Sequence, residues 1–204
     1  MNGITPHIIG ITGGIGSGKS YVCRLLRQMD VPVYDCDSEA KRLINESQDI
    51  RQALKTIAGE DIYDGNGLVR ERLAKYLFAS QENAQHVNAI VHPAVLSDFR
   101  QWTTRQGSPV VGIESAILYE SGFSHTVDAV LFVDASEATR LKRAMQRDGA
   151  TEAQVTARMR QQQTDTGRKC ADYIIHNDGA TDAELITKIK EILERLESRL
   201  RLST

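Results

Sequence analysis

The 204-residue chain has no excess of basic residues: 25 Lys and Arg stand against 27 Asp and Glu, for a net charge of −2. With a pI near 6.2, it lacks the electrostatic footprint of a nucleic-acid partner. No apolar run approaches the roughly 18 residues of a membrane-spanning helix, so no membrane partner is expected. The opening MNGITPH lacks the basic-then-apolar order of a secretory signal. Cysteine is scarce: Cys23, Cys36 and Cys170 are odd in number, far apart and without a C-x-x-C pair. That argues against a disulfide framework and structural zinc, and a reduced, cytoplasmic setting is expected. The histidines at 7, 86, 92, 125 and 176 show no metal-ligand spacing, and no internal repeat or low-complexity segment is present. The length suits one α/β core with an insertion, or two small domains.

What is present is glycine in one place. GITGGIGSGKSY spans residues 10 to 21, and G-x-x-x-x-G-K-[ST] fits from Gly13 through Ser20. The β-branched apolar run before it reads as a buried strand; Val22, Leu25, Leu26 and Met29 after it recur at helical spacing. The glycines therefore sit at a strand-to-helix junction. There the backbone turns without a Cβ in the way, and amide N–H groups point at anionic oxygens near the positive end of a helix. In such a loop Lys19 contacts the terminal phosphates of a nucleotide and the Ser20 hydroxyl coordinates Mg²⁺.

Short apolar runs at Ile8–Thr12, Val31–Tyr34, Val110–Ile113, Ala129–Val133 and Tyr173–Ile175 read as strands of a parallel sheet, separated by helical patterns. The gap between the second and third is too long for one crossover. It holds helical stretches at Ser38–Asn45, Asp49–Ala58, Glu71–Ala79 and Glu82–Arg105, with a turn-like DGNG at Asp64–Gly67. Residues 40–105 thus read as a helical insertion over the carboxyl edge of the sheet, where open α/β sheets bind ligands. His92-Pro93 is expected to end or kink a helix. Leu185, Ile186, Ile189, Ile192, Leu193, Leu196 and Leu200 form one face of a C-terminal helix that packs on the core.

Several acids follow strands. Asp35 and Asp37 end the second run, and strand alternation puts them on one side with Cys36 opposite. A carboxylate there accepts a proton from an attacking hydroxyl or holds a water on Mg²⁺; a helix N-cap is the alternative. Glu114 follows the third strand as a further acid near the metal or a solvated strand end. Asp134 closes another apolar run, as a metal-site acid or as a cap for the next helix. Arg140, Arg143, Arg147, Arg158 and Arg160 cluster around RDGAT in a helix–turn–helix pattern. Beside a phosphate loop such a segment reads as an arginine lid.

The ordered set of segments resembles the dephospho-coenzyme A kinase family nearly end to end. GITGGIGSGKS is similar to its phosphate loop, and VPVYDCD to its V-P-x-x-D-A-D. GLVRERLAKYLF and VNAIVHPAV resemble its L-x-R-x-x-L-A-x-x-x-F and L-N-x-I-x-H-P. IESAILYESG, RAMQRDG and ADYIIHNDG are similar to D-x-P-L-L-F-E, the lid and A-D-x-V-I-x-N. Glu114, Ala116, Tyr119 and Cys36 depart from the family's aspartate, proline, phenylalanine and alanine.

The resemblance implies an α/β fold: a P-loop NTPase-type parallel sheet flanked by helices, with a helical acceptor-binding insertion and a helical lid. The core would be 1–39 and 106–204, with the lid at about 138–168 and the insertion at 40–105. It implies transfer of the ATP γ-phosphoryl group to the ribose 3′-hydroxyl of dephospho-coenzyme A, with Mg²⁺ as cofactor. Gly14, Ile15, Gly16, Ser17, Gly18, Lys19, Ser20 and Tyr21 would bind ATP, with Asn177 near its adenine and Ser20 on the metal. Asp37 would be the general base, aided by Lys19, Arg143 and Arg147. Asp35, Arg70, His92 and Glu114 would serve the acceptor. The rival readings are another small-molecule P-loop kinase, a GTPase, disfavoured because N-K-x-D is absent, and a binding module without turnover.

Overall fold

The structure, a computed structural model, describes residues 5–160, 162 and 164–201, the side chains at 199–201 excepted. The chain divides into two compact units, one of residues 1–34 and 106–204, the other of residues 35–105.

The first unit is built on a five-stranded parallel sheet. Its strands are β1 (His7–Thr12), β2 (Val33–Asp35), β5 (Val110–Glu114), β6 (Ala129–Asp134) and β7 (Tyr173–His176), in the order β2-β5-β1-β6-β7. β1 is central, in register Ile9↔Gly112 with β5 and Ile9↔Ala129 with β6. The period of two along β1 sends Ile9 and Ile11, both fully buried, to one face. There they meet Val22, Leu25 and Leu26 of α1 (Lys19–Gln28) and Leu185, Ile189, Ile192 and Leu196 of α9 (Asp182–Arg201). Burying each such side chain contributes about 1.5–3 kcal/mol. The C-terminal helix thus packs on the core, with Ile186 and Leu193 at the margin; the Leu200 side chain lies outside the described residues. On the other face Gly10 leaves room for Leu118: a Cβ there would stand 2.8 Å from Leu118 Cδ2.

β2 starts two residues later than its apolar run. Pro32 has no N–H to donate to a ladder, so it only accepts, from the Gly112 amide at 2.7 Å. The strand also ends sooner than alternation requires. The Asp35 carboxylate accepts from the Ser38 amide at 3.0 Å and the Ser38 hydroxyl at 3.0 Å. That is an N-cap, and it starts α2 (Cys36–Glu46) at the next residue. The expectation that Asp35 and Asp37 share one side of a strand is therefore corrected: Asp35 caps and Asp37 lies in the first helical turn.

The second unit holds α2, α3 (Gln48–Ala58), the hairpin β3–β4 (Tyr63–Asp64, Gly67–Leu68), α4 (Arg70–Ala79) and α5 (Gln81–Thr103). Ser47 and Ser80 cap α3 and α5. The hairpin is the DGNG turn. Inside the unit Arg42 bridges Glu39, Glu46 and Asp98, the last at 2.7 Å. Pro93 does not end its helix: α5 runs through it. Val87, Val91, Val95 and Phe99, spaced one turn apart and all buried, hold both halves on one packed face. Their burial outweighs the hydrogen bond that the proline omits.

The remaining helices belong to the first unit: α6 (Glu137–Asp148), α7 (Glu152–Arg160) and α8 (Thr164–Cys170). Gly149 ends α6 at φ 61°, a left-handed C-cap that glycine adopts at little cost. Residues 161 and 163 of the expected lid lie outside the described residues. Among the described residues no helix is long and apolar enough to cross a membrane.

Candidate active site

β1 hands over to the phosphate loop at Gly13, and α1 begins at Lys19. Gly16 and Gly18 take φ of 77° and 94°, the left-handed region that side chains disfavour. Both are also hemmed in. A Cβ on Gly16 would lie 2.2 Å from the Arg140 carbonyl oxygen, and one on Gly18 would lie 2.2 Å from Asn177 Nδ2. Lys19 curls back over the loop, donating from Nζ to the Gly13 carbonyl at 2.8 Å. Ser20 is exposed at the helix start.

Four side chains from later in the chain brace this loop. Arg140 Nε donates to the Ile15 carbonyl at 3.1 Å, with its guanidinium lying over Gly14. Burial lowers the Arg140 pKa from its ordinary value, while Asp134, Glu137 and Asp165 pull the other way. Gln162 Oε1 accepts from the Ile15 amide at 2.7 Å, so the Ile15 residue is held at both of its polar groups. Arg143 donates from Nη2 to the Asn177 carbonyl at 2.8 Å and from Nη1 to the Ser17 carbonyl at 3.4 Å. Asn177, 5% exposed, completes the triangle: its Nδ2 donates to the Ser17 carbonyl at 2.8 Å. Its side-chain amide nitrogen is thus engaged by the loop.

Arg147 points elsewhere. It grips Asp148 with Nε at 2.7 Å and Nη2 at 3.1 Å. Arg158 of α7 reaches the same carboxylate at 2.9 Å. These hydrogen bonds hold the Asp148 carboxyl down at about 2.

Asp134 does not cap α6. Ser136 does, accepting from the Thr139 amide at 3.3 Å. Asp134 instead sits at the end of β6, 3.1 Å from Arg168 Nη2 and 3.5 Å from His176 Nδ1. A cavity of about 550 Å³ opens here, lined among others by Asp134, Ser136, Arg140, Arg160, Arg168 and Asp178. Glu114 ends β5 opposite Ile11, one register step below the point where β1 gives way to the loop. Tyr119 is half-buried. Its hydroxyl has no hydrogen-bond partner among the described residues, and burial pushes its pKa up to about 12.

The other expected residues lie in the second unit. Asp37 is exposed in the first turn of α2, and Arg70 is exposed as the first residue of α4. His92 is half-buried in α5, and burial lowers its pKa. Among the described residues no group of three or more His, Cys, Asp or Glu side chains is placed to hold a metal ion.

Residues 7–183 match the dephospho-CoA kinase family. The chain belongs to that family. It is 44% identical over 195 residues to the dephospho-CoA kinase of Bacteroides fragilis, covering 94% of each chain. It is 42% identical to the dephospho-CoA kinase of Porphyromonas gingivalis, covering 94% of this chain and 95% of the relative. The crystal structure of a Thermus thermophilus protein superposes with a TM-score of 0.82 at 34% identity, over 94% of this chain and 98% of the other.

For this dephospho-CoA kinase family member, sequence reasoning undervalued two residues. Arg140 stood only as one of five lid arginines, although it lies in the first turns after a strand end, where a side chain reaches back to the sheet edge. Gln162 carried no signal: it is one of three consecutive glutamines, and only the tertiary fold brings it to Ile15.

Proposed function

We propose that the ribose 3′-hydroxyl of dephospho-coenzyme A attacks the γ-phosphorus of ATP held by the loop from Gly14 to Ser20. The family's reaction is ATP-dependent phosphorylation of dephospho-coenzyme A, the final step of coenzyme A synthesis, and it is the reaction of this chain. The observation that carries the finer reading is the loop itself, a glycine-shaped turn at a helix N-terminus with two α6 arginines bonded to its carbonyls.

In this reading the loop amides and Lys19 Nζ bind phosphate oxygens, the ammonium exchanging the Gly13 carbonyl for them. Phosphoryl transfer needs positioning and charge stabilisation more than covalent help. Arg143, one hydrogen bond from Ser17, supplies charge to the transferring group, and Arg147 joins it from the end of α6. Asp37 orients the 3′-hydroxyl and takes its proton late, while Asp35 fixes the start of α2 beneath it. Arg70, His92 and Glu114 serve the acceptor, and Tyr21 and Asn177 complete the nucleotide site.

The residues fit Mg²⁺. The ion prefers hard oxygen donors and is usually held by one or two protein groups plus substrate phosphates; the exposed Ser20 hydroxyl at the start of α1 is such a donor. When bound, the ion neutralises charge on the phosphates. The cytoplasm is the expected compartment: none of the three cysteines is in a disulfide, and Cys170 is exposed, as a reducing setting permits.

A coupled ADP-release assay tests the reading with dephospho-coenzyme A, adenosine, AMP and shikimate as acceptors. Turnover with dephospho-coenzyme A alone is expected. Turnover confined to AMP would make the chain a nucleotide kinase.

A further inference from the structure

Ile15, near the middle of the phosphate loop, is held at its side chain and at both of its polar groups. The side chain packs against the small core of Ala144, Val155 and Met159 between α6 and α7. The carbonyl accepts from Arg140, and the amide donates to Gln162 Oε1 at 2.7 Å. The same core places Gln162: its main-chain N–H donates to the carbonyl of the buried Met159 at 3.2 Å, just past the end of α7. Because the Ile15 N–H can only donate, the atom it meets must be the oxygen of the Gln162 amide. Nε2 then has no hydrogen-bond partner among the described residues. It branches from the same carbon as Oε1, so its two donors stand beside the loop. Gln162 also lines a narrow cleft with Thr12 and Gly13, and Lys19 Nζ bonds the Gly13 carbonyl at that end of the loop. The lysine of such a loop reaches the β- and γ-phosphates, so Gln162 lies toward the γ end. Glu120, an acid of the cleft, is exposed, whereas Lys19 and the Arg140 guanidinium lie against the loop itself.

We propose that Gln162 is a further catalytic residue: its Nε2 donates to an oxygen of the γ-phosphoryl group of ATP and stabilises charge there during transfer. This rests on the reading that the loop from Gly14 to Ser20 holds ATP. The Ile15 N–H is engaged by Gln162, and the side-chain amide presents N–H donors of its own one group farther out. The choice of side chain supports the donor role. A brace alone would be stronger with a carboxylate, which accepts an amide hydrogen bond better than a neutral oxygen does. A carboxylate here would set negative charge against the polyphosphate. The neutral amide holds Ile15 and still offers an anion two donors, fixed in place before the reaction begins.

Steady-state kinetics and ADP calorimetry on the full chain test this. Gln162→Ala and Gln162→Glu each lower kcat about 10²-fold or more, the scale of removing one preorganised donor. The first lacks the whole amide; the second keeps an acceptor for Ile15 but has no proton to donate. The KM for dephospho-coenzyme A stays near wild type. ADP, which lacks the transferred group, binds both variants with wild-type affinity, whereas a loop that had lost a brace would hold ADP more weakly. Wild-type kcat in either variant overturns the proposal. So does a loss of ADP affinity as large as the loss of kcat, which would make Gln162 a brace alone. A raised kcat in Gln162→Ala overturns it too, by making Gln162 a plug that ATP must displace. Wild-type protein that binds no ADP would overturn the loop reading itself, a result distinct from all of these.

Discussion

The Asn177 carbonyl accepts from Arg143 Nη2 at 2.8 Å while the Asn177 side chain donates to the Ser17 carbonyl at 2.8 Å. One residue after β7 thereby ties the arginine of α6 to the phosphate loop. In Asn177→Ala the buried Ser17 carbonyl keeps only the longer bond from Arg143. The expected loss is about 1–3 kcal/mol of stability, the cost of under-satisfying a buried acceptor, together with a raised KM for ATP. Urea unfolding and ATP kinetics check both; wild-type values in each would remove the bracing role.

In the proposed mechanism Lys19 lies where negative charge grows during transfer. Lys19→Ala is expected to fold normally and to lose about 10²-fold or more in turnover, the scale of removing one preorganised electrostatic contact. Single-turnover rates with dephospho-coenzyme A measure it. Rates close to wild type would dismiss the phosphate-loop assignment.

Asp37 and Asp35 separate by their local structure. Asp35 holds the start of α2, so Asp35→Ala should lower stability by about 0.5–2 kcal/mol, the range for loss of an N-cap. Asp37 is exposed in the first turn with no capping bond of its own. Asp37→Asn should leave stability and ATP affinity nearly unchanged and lower kcat by about 10²- to 10⁴-fold, the range for a general base. If Asp37→Asn turns over normally and Glu114→Gln does not, the base is Glu114.

Asp148 links α6 and α7: Arg147 and Arg158 both bind its carboxylate. Its folded pKa, about 2, lies below the ordinary carboxylate value of 3.8. The link therefore adds stability in full above the ordinary value and loses it as pH falls through about 2. Carboxyl chemical shifts followed from pH 5 to 1.5 should show Asp148 titrating well below the ordinary carboxylate value. In ATP-bound protein Arg147 should leave Asp148 for phosphate as the lid closes and excludes water. Hydrogen exchange across residues 140–160, with and without a non-hydrolysable ATP analogue, follows that closure. Unchanged protection would argue against it.

The five sheet strands and the phosphate loop were legible because local and global signals agree in them. β-Branched runs are strands, glycines sit at their ends, and α9 carries its apolar face at helical spacing. The misreadings arose where a side chain competes with the pattern. Asp35 accepts the Ser38 amide and turns a strand into a helix one residue before alternation would place Asp37. Pro93 was expected to end or kink its helix; it does not end it, because Val87, Val91, Val95 and Phe99 are buried on either side of it. Of the two readings of Asp134, metal-site acid or cap, the cap falls because Ser136, two residues on, reaches the Thr139 amide. Gln162 was illegible because its partner, the Ile15 amide, is 147 residues away in sequence.

Gly16 and the Arg140 carbonyl leave no space between them for even one methyl group. In this chain α6 is therefore not an exchangeable cassette. A lid grafted into this chain would have to lay its own main chain against the same glycine before any of its arginines could matter. Conversely, a library that randomises the outer turns of α6 and α7 while sparing that crossing retains the main-chain contact on which α6 rests. Redesign of this enzyme for other nucleotides has its fixed point there.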